Sequence, residues 1–218
     1  MNNFDAGTDI EPDLVSPLKQ KGKSDVWLCN WKGDKAVAKF GPSVIHEARI
    51  LKKGQPYLPR LLAIQKNKDP MQSFIIREFI PGISLADCRS RVIDFMLILK
   101  RIAQLMLSLQ DPKPDLPFIH GDISPDNIIV NNNDISLVDF ENSGWGICVQ
   151  TRGIKPMFAA PEVIASKECT VVGDIFSIGR TLQYCKSGIP ADLLAQMVNK
   201  NPQARPQSWD EVIKITAL

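Results

Sequence analysis

Residues 118–130, FIHGDISPDNIIV, are followed closely by ISLVDFENSG at residues 135–144. Each stretch predicts a short buried strand with polar residues at its end, and the polar residues between the two strands predict a tight hairpin. The polar ends carry Asp122, Asn127 and Asp139. Because Asp and Asn often end strands and form turns, either stretch alone indicates little more than a turn. Together, they predict three oxygen-bearing side chains close to one another at the ends of the hairpin.

The composition is that of an ordinary globular protein. The chain has 218 residues, of which 44% are hydrophobic, which is enough for one compact domain with a substantial core. The formal net charge is only +2, and Lys and Arg are spread along the chain. The charge therefore predicts no nucleic-acid partner.

The cysteines and the chain start bear on the compartment. The five cysteines form no CxxC pair, and an odd, scattered set predicts reduced thiols rather than a disulfide framework. The first residues, MNNFDAGTDIEPDL, lack the layout of a signal peptide, and no apolar run approaches the roughly 18 residues needed to span a bilayer. We therefore expect a cytoplasmic protein with no membrane partner.

The hydrophobic pattern changes from strands to helices along the chain, after a polar stretch at residues 1–13 that predicts a flexible tail. The elements expected first are three antiparallel strands within residues 14–40, with turns at KGKSD and WKGDK, a helix at 43–53, strands at 58–67 and 72–80, and a turn at 81–85. The later elements are a buried helix within 92–110, the hairpin, a loop-rich stretch at 141–158, and helices at 170–186, 191–200 and 208–218. This order predicts an α+β fold with a sheet lobe and a helical lobe.

The opening motif resembles the catalytic loop of eukaryotic-type (Ser/Thr) protein kinases, whose pattern is H-R-D-x-x-x-x-N. The resemblance covers nearly the whole chain after the tail, and it implies a minimal, atypical, two-lobed member. In that family the aspartate accepts the proton of the attacking hydroxyl, and the later asparagine holds magnesium. Asp122 is thus expected to be catalytic. Asn127 and Asp139 are expected to hold the Mg²⁺ that accompanies ATP, since hard cations prefer oxygen ligands.

Two segments near the start of the chain resemble the nucleotide-binding parts of that family. AVAKF resembles the V-A-I-K strand, so that Lys39 is expected to hold the ATP phosphates and Glu47 to hold Lys39 in place. The interval between these two residues is shorter than usual. KQKGKSDVWL occupies the place of the Gly-rich loop, and the residues implied to cover the nucleotide are Gly22, Lys23, Ser24 and Val26.

REFIPGISL resembles the hinge that joins the two lobes of a kinase. Adenine is then expected to bond the backbone of Glu78 and Ile80. This alignment places Arg77 at the back of the nucleotide pocket, where an apolar side chain is usual, unless the register differs by one residue.

Three later motifs resemble protein kinases rather than small-molecule kinases. They are FAAPE, DIFSIG and NPQARP. By resemblance, Glu162 pairs with Arg205 as a buried structural contact, and Asp174 holds the backbone of the catalytic loop.

The catalytic loop departs from the family at two positions. Gly121 replaces the arginine that normally pairs with a phosphorylated activation loop, so we expect constitutive activity or control by a protein partner. Ser124 replaces the lysine that neutralises charge on the transferred phosphoryl group, and Lys155 stands where a threonine normally contacts that lysine. Lys155 is therefore a candidate for the missing catalytic cation, the alternative being an exposed loop residue.

Further departures concern regulation and substrate. Glu141 replaces the glycine of D-F-G, and the short interval between Glu162 and Arg205 predicts a reduced helical lobe. The segment between the catalytic loop and Glu162 contains Ser143 and Thr151, two candidate autophosphorylation sites.

These features predict an ATP- and magnesium-dependent phosphotransferase that acts on Ser or Thr hydroxyls of a protein substrate. The expected boundaries are a sheet lobe at about 14–79, a hinge at about 79–83 and a helical lobe at about 84–218. HGD and DFE also occur in choline-kinase-like enzymes, so a small-molecule phosphotransferase is one alternative. A pseudokinase scaffold that binds a protein partner is the other.

Overall fold

The computed structural model describes residues 11–19, 25–88, 93–110, 116–132, 134–149 and 153–217. Most of the predicted tail therefore lies outside the described residues. Its last residue, Asp13, belongs to the first strand, where it lies opposite Asn30 and accepts a hydrogen bond of 2.9 Å from the Asn30 side chain. Asp13 thus belongs to a strand and not to the predicted tail.

The described residues form two compact units, which are described separately here. The first comprises residues up to Gly54 together with Leu58–Ile80, and the second comprises Gln55–Tyr57 and the chain from Pro81 onward.

The first unit is an antiparallel sheet with one helix. Its elements are β1 (Asp13–Lys19), β2 (Asp25–Trp31), β3 (Asp34–Phe40), α1 (Val44–Leu51), β4 (Leu61–Gln65) and β5 (Phe74–Glu78), with the strands in the order β1-β2-β3-β5-β4. All five predicted strands and the predicted helix are confirmed. Lys32 and Gly33 join β2 to β3 with positive φ angles of 51° and 92°, as a two-residue hairpin requires.

Alternation along β3 and β5 gives this sheet two different faces. One face packs apolar side chains, including Ala36, Ala38 and Ile76, into a buried cluster. The other face carries Lys39, because residues next to each other on a strand point to opposite sides.

The second unit is mainly helical. Its elements are β6 (Ile83–Ser84), α2 (Phe95–Ser108), β7 (Phe118–Ile119), β8 (Ile128–Asn131), β9 (Asp134–Leu137), β10 (Gly144–Trp145), β11 (Cys148–Val149), α3 (Pro161–Ser166), β12 (Glu168–Cys169), α4 (Val171–Tyr184), α5 (Ala191–Met197) and α6 (Trp209–Ile215).

The two longest described helices form the core of this unit. Asp94 caps α2 by accepting a hydrogen bond from the Leu97 N–H, and Thr170 caps α4 in the same way through the Gly173 N–H. Each helix has 14 residues, whereas about 20 are needed to cross the hydrocarbon layer of a bilayer. No helix in the described part of the chain meets the requirements for a membrane span.

Some local predictions for this unit were wrong. The turn predicted at residues 81–85 contains β6, which pairs with β8 and so satisfies backbone groups that the hairpin alone would leave open. The loop-rich stretch at 141–158 contains the short strands β10 and β11. Helix α3 was not predicted at all. The overall α+β class, a small antiparallel sheet with one helix followed by a reduced helical part, is confirmed.

Candidate active site

The β8–β9 hairpin of the second unit has the predicted form. The two strands are antiparallel, with Ile128 opposite Leu137, and the Val138 N–H donates a hydrogen bond of 3.0 Å to the Asn127 carbonyl. Asn127 ends a short 3-10 helix directly before β8. Asp139 comes two residues after β9, so that both side chains belong to the same end of the hairpin.

Asp122 lies against this end of the hairpin. The Asn127 side-chain nitrogen donates to the Asp122 carbonyl at 2.8 Å and to its carboxylate at 3.0 Å. Burial raises the pKa of Asp122 above its usual range, and the negative charge of Asp139 raises it further, whereas Lys155 and Asn127 lower it. Asp122, Asn127 and Asp139 are therefore close enough to interact.

The oxygen atoms at this site fit a magnesium ion. Both hydrogen bonds of Asn127 use its amide nitrogen, so the amide oxygen is the atom that can bind a cation. Asp139 has a positive φ of 69°, a strained conformation that concentrates at functional sites. Among the described residues, no three His, Cys, Asp or Glu side chains are arranged to enclose a metal. Magnesium does not require such a group, because it usually takes one or two protein ligands together with waters and substrate phosphates.

Asp174, near the start of α4, binds the backbone of the catalytic loop. Its carboxylate accepts hydrogen bonds from the backbone N–H of His120 at 2.6 Å and of Gly121 at 3.0 Å. Asp174 is only 2% exposed. This contact fixes the backbone that leads into Asp122.

The buried Asp174 makes the stability of the protein depend on pH. Burial raises its pKa to about 7, although the two N–H donors oppose that rise. A carboxyl group whose folded pKa is raised stabilises the fold below the unfolded pKa, near 4, and loses that contribution as the pH rises through 7. We expect wild type to lose roughly 2–3 kcal/mol of unfolding free energy relative to Asp174→Asn between pH 5 and pH 8. Urea unfolding of both proteins at each pH measures this loss, and a pH-independent difference would contradict it.

Gly121 is required by a close contact within the site. Its φ is +76°, and a Cβ atom at this position would lie 2.7 Å from the Asn142 carbonyl oxygen. The chain that follows Asp139 therefore passes directly against the catalytic loop. The family arginine does not fit here without a change in the backbone, which accounts for the G in HGD.

Gly121→Ala is expected to destabilise the protein by more than the positive φ alone explains. Gly54 offers a matched control, because it has a φ of +61° and open space around its Cβ position. We expect Gly54→Ala to cost about 1 kcal/mol of unfolding free energy and Gly121→Ala at least ~2 kcal/mol more. Equal costs in denaturant unfolding would show that the contact with Asn142 is unimportant.

The first unit contains the predicted lysine–glutamate pair. The Lys39 ammonium lies 2.6 Å from the Glu47 carboxylate, and both residues are almost fully buried. Lys39 lies opposite Val26 and Ile75 in the sheet. Only Gly41, Pro42 and Ser43 separate β3 from α1, so a very short connection suffices to bring Glu47 to Lys39.

The other residues expected to bind the nucleotide fall into two groups. Gly22, Lys23 and Ser24 lie outside the described residues. Glu78 ends β5, where its backbone N–H donates to the Arg60 carbonyl at 2.9 Å and its side chain pairs with the Arg60 guanidinium. Only the carbonyl of Glu78 is therefore a candidate for adenine, and Ile80 lies two residues beyond the strand.

The strand register places Arg77 with Lys39. Arg77 lies opposite Val37, and Lys39 lies opposite Ile75, so Arg77 and Lys39 share one face of the sheet. The place of Arg77 at the back of a nucleotide pocket stays a prediction.

Arg205 makes the predicted buried contact with Glu162. The guanidinium binds both carboxylate oxygens, at 2.6 and 2.9 Å, and is 2% exposed. Its remaining N–H groups donate to the carbonyls of Val172, Asn199 and Lys200, and its plane lies 4.7 Å from the centre of the Phe176 ring. Arg205 thus joins α3, α4 and the segment before α6.

The segment between β9 and α3 gives mixed results. Ser143 is buried, and its hydroxyl donates to the Phe140 carbonyl at 2.7 Å, so it is not an exposed phosphorylation site. Thr151 lies outside the described residues. Lys155 reaches the catalytic loop, where its ammonium lies 3.2 Å from the Asp122 carboxylate.

Sequence reasoning named Ser124 as the counterpart of Lys155 but missed Arg180, which supports the turn that carries Lys155. The Ser124 hydroxyl accepts a hydrogen bond of 2.8 Å from Lys155, and Arg180 donates to the carbonyl of Met157 in the same turn. The change from lysine to serine at position 124 was a usable signal for the first contact. Arg180 has no motif of its own, and only its packing identifies it.

Comparison with known proteins agrees with this geometry. The family described as the protein kinase domain matches residues 29–191. Calcium/calmodulin-dependent protein kinase type 1 of Macrobrachium nipponense is 26% identical over 82% of this chain and 55% of the relative. Mitogen-activated protein kinase kinase kinase 3 of Arabidopsis thaliana is 30% identical over 66% of this chain and 23% of the relative. The probable serine/threonine-protein kinase roco9 of Dictyostelium discoideum is 32% identical over 48% of this chain and 3% of the relative.

The chain belongs to the protein kinase family, since the family match covers most of its length. The chain spans no more than 55% of the length of these relatives.

Proposed function

We propose that this protein is an ATP- and magnesium-dependent protein kinase that transfers the γ-phosphoryl group to Ser or Thr hydroxyls. The observation that carries the proposal is the contact of Asp122 with Asn127 beside Asp139. Three oxygen-bearing side chains at one hairpin end have no structural need to be so close. The repulsion between the Asp122 and Asp139 carboxylates and the desolvation of Asp122 are costs that a metal-dependent phosphotransferase explains.

The site residues of the second unit have separate roles in this proposal. Asp122 orients the substrate hydroxyl and accepts its proton. Asn127 and Asp139 hold Mg²⁺, which supplies charge neutralisation for the nucleotide phosphates when it is bound. Asp174 keeps the loop that carries Asp122 in place.

The residues of the first unit bind the nucleotide in this proposal. Lys39, held by Glu47, contacts the phosphates, and Gly22, Lys23 and Ser24 cover them. Val26 covers the adenine ring. The Glu78 carbonyl and the Ile80 backbone bond its edge.

The close packing at Gly121 supports regulation without activation-loop phosphorylation. The protein has no arginine next to Asp122 to bind a phosphate there, and the Asn142 carbonyl occupies the space beside Gly121. We infer constitutive activity or control by a protein partner. The Ser/Thr preference follows the names of the relatives, three of which are called serine/threonine-protein kinases.

ATP binding with and without magnesium tests the nucleotide part of the proposal. ATP with magnesium is expected to raise the melting temperature of wild type, and omission of magnesium or Asp139→Ala is expected to reduce that shift. Asp87→Ala is a suitable control, because Asp87 lies on a 3-10 helix and, among the described residues, bonds the nearby Ser84 hydroxyl. An equal shift without magnesium would contradict the assigned role of Asp139.

A further inference from the structure

Two departures from the family pattern meet in the structure. Ser124 stands in the catalytic loop where the family has a lysine, and Lys155 stands in a later segment where the family has a threonine. The Lys155 ammonium donates to the Ser124 hydroxyl at 2.8 Å, although 31 residues separate the two along the chain. The two positions have therefore exchanged a cation and a hydroxyl while remaining in contact.

Lys155 also contacts the carboxylate proposed to accept the substrate proton. Its ammonium lies 3.2 Å from the Asp122 carboxylate and 4.0 Å from that of Asp126. The Lys155 side chain is only 33% exposed, so the reading as a fully solvated loop residue is wrong. The Lys155 ammonium and the Asn127 amide nitrogen thus contact the same carboxylate oxygen, Oδ2 of Asp122.

The turn that carries Lys155 is held by its own hydrogen bonds and by contacts with α4. The N–H groups of Phe158 and Ala159 donate to the Lys155 carbonyl at 2.9 and 3.0 Å. On α4, Arg180 donates to the Met157 carbonyl at 3.2 Å, and Tyr184 packs its ring edge-on against Phe158 at 5.6 Å. Lys155 is therefore presented by a fixed turn, which lowers the entropic cost of keeping its ammonium at the site.

We propose that Lys155 is the catalytic cation of this kinase, delivered by the segment before α3 instead of by the catalytic loop. In the reaction, the substrate hydroxyl oxygen forms a bond to the γ-phosphorus while the bond from that phosphorus to the bridging oxygen breaks. The hydroxyl proton passes to Asp122, and ADP leaves with the bonding electron pair. The Lys155 ammonium stabilises the negative charge on the transferred phosphoryl oxygens.

This inference rests on the proposed function and adds a consequence to it. The cation is in place only while residues 153–158 are docked against α4. Arg180 is a positioning residue in this account, because it holds the turn and does not touch the reacting atoms.

The test removes the positive charge at position 155 and, in a second variant, restores a positive charge at position 124, where the family has a lysine. Lys155→Met keeps the aliphatic stem, removes the charge and is expected to lower kcat by ~10²–10³-fold with little change in the KM for ATP. The double variant Ser124→Lys with Lys155→Thr restores the family arrangement and is expected to recover kcat to within about 10-fold of wild type. Lys214→Met, at an exposed position on α6, is the matched control and is expected to match wild type.

Each outcome has a defined meaning. Wild-type turnover in Lys155→Met, or faster turnover, would overturn the inference, the latter by showing that the ion pair with Asp122 is inhibitory. A loss that the double variant does not recover, or a loss confined to KM, would assign Lys155 a structural or docking role and also overturn it. Wild type without any phosphoryl transfer would overturn the proposed function and this inference together. An active wild type keeps the two tests separate.

Discussion

Asp122→Asn is expected to lower kcat for phosphoryl transfer by ~10²–10⁴-fold, since that is the usual contribution of a general base. The amide keeps the size of the carboxylate but cannot accept the substrate proton. Nucleotide binding is expected to persist, because Asn127 and Asp139 are unchanged. The measurement is the initial rate of protein phosphorylation at saturating ATP, with ATP affinity determined separately.

Asp126→Asn provides the matched control for this substitution. Asp126 lies in the same loop, but its side chain is 64% exposed and is 4.0 Å from Lys155. We expect its kcat to stay within about 5-fold of wild type, since a weak exposed ion pair contributes little. Equal losses in both variants would show that the loop, and not the Asp122 carboxylate, is what the reaction needs.

Arg205→Ala is expected to destabilise the protein by at least about 2 kcal/mol, because the buried guanidinium is lost and the Glu162 carboxylate, which is 31% exposed, loses its partner. The loss extends to the carbonyls of Asn199 and Val172, which the guanidinium also binds. A loss of this size is a large part of the total stability of a typical domain. Urea unfolding of the purified protein measures it.

The Arg60–Glu78 pair is the control for Arg205. Its N–O distance of 2.7 Å is similar to that of the buried pair, but the Arg60 side chain is 76% exposed. Arg60→Ala is therefore expected to cost much less stability than Arg205→Ala. A similar cost for both arginines would mean that burial does not determine the strength of the Arg205 contact.

Local pattern and motif spacing were sufficient to predict most of the fold. The strands of the first unit follow alternation along the sequence, and α2 and α4 follow helical spacing with Asp94 and Thr170 as caps. These elements depend mainly on contacts between residues near one another in sequence, which periodicity reports directly. The pairs Lys39–Glu47 and Glu162–Arg205 were accessible through resemblance to a family.

The features that escaped prediction depend on contacts between distant parts of the chain. Strand β6 forms because Ile83 pairs with Val130, and a two-residue strand is too short to show a periodic pattern in the sequence. The close contact between Gly121 and Asn142 is visible only in the three-dimensional structure. The burial of Ser143 likewise depends on the path of the chain after β9, where the sequence pattern is weak.

The most direct test of the central claim is the transfer of labelled γ-phosphate from ATP to protein. Wild type, Asp122→Asn and Asp139→Asn are incubated with labelled ATP and generic basic protein substrates, with magnesium or with a chelator. We expect label on Ser or Thr residues of protein only when wild type is incubated with magnesium. Magnesium-dependent ATP binding without label on any protein, or transfer of the label to a small molecule, would contradict it.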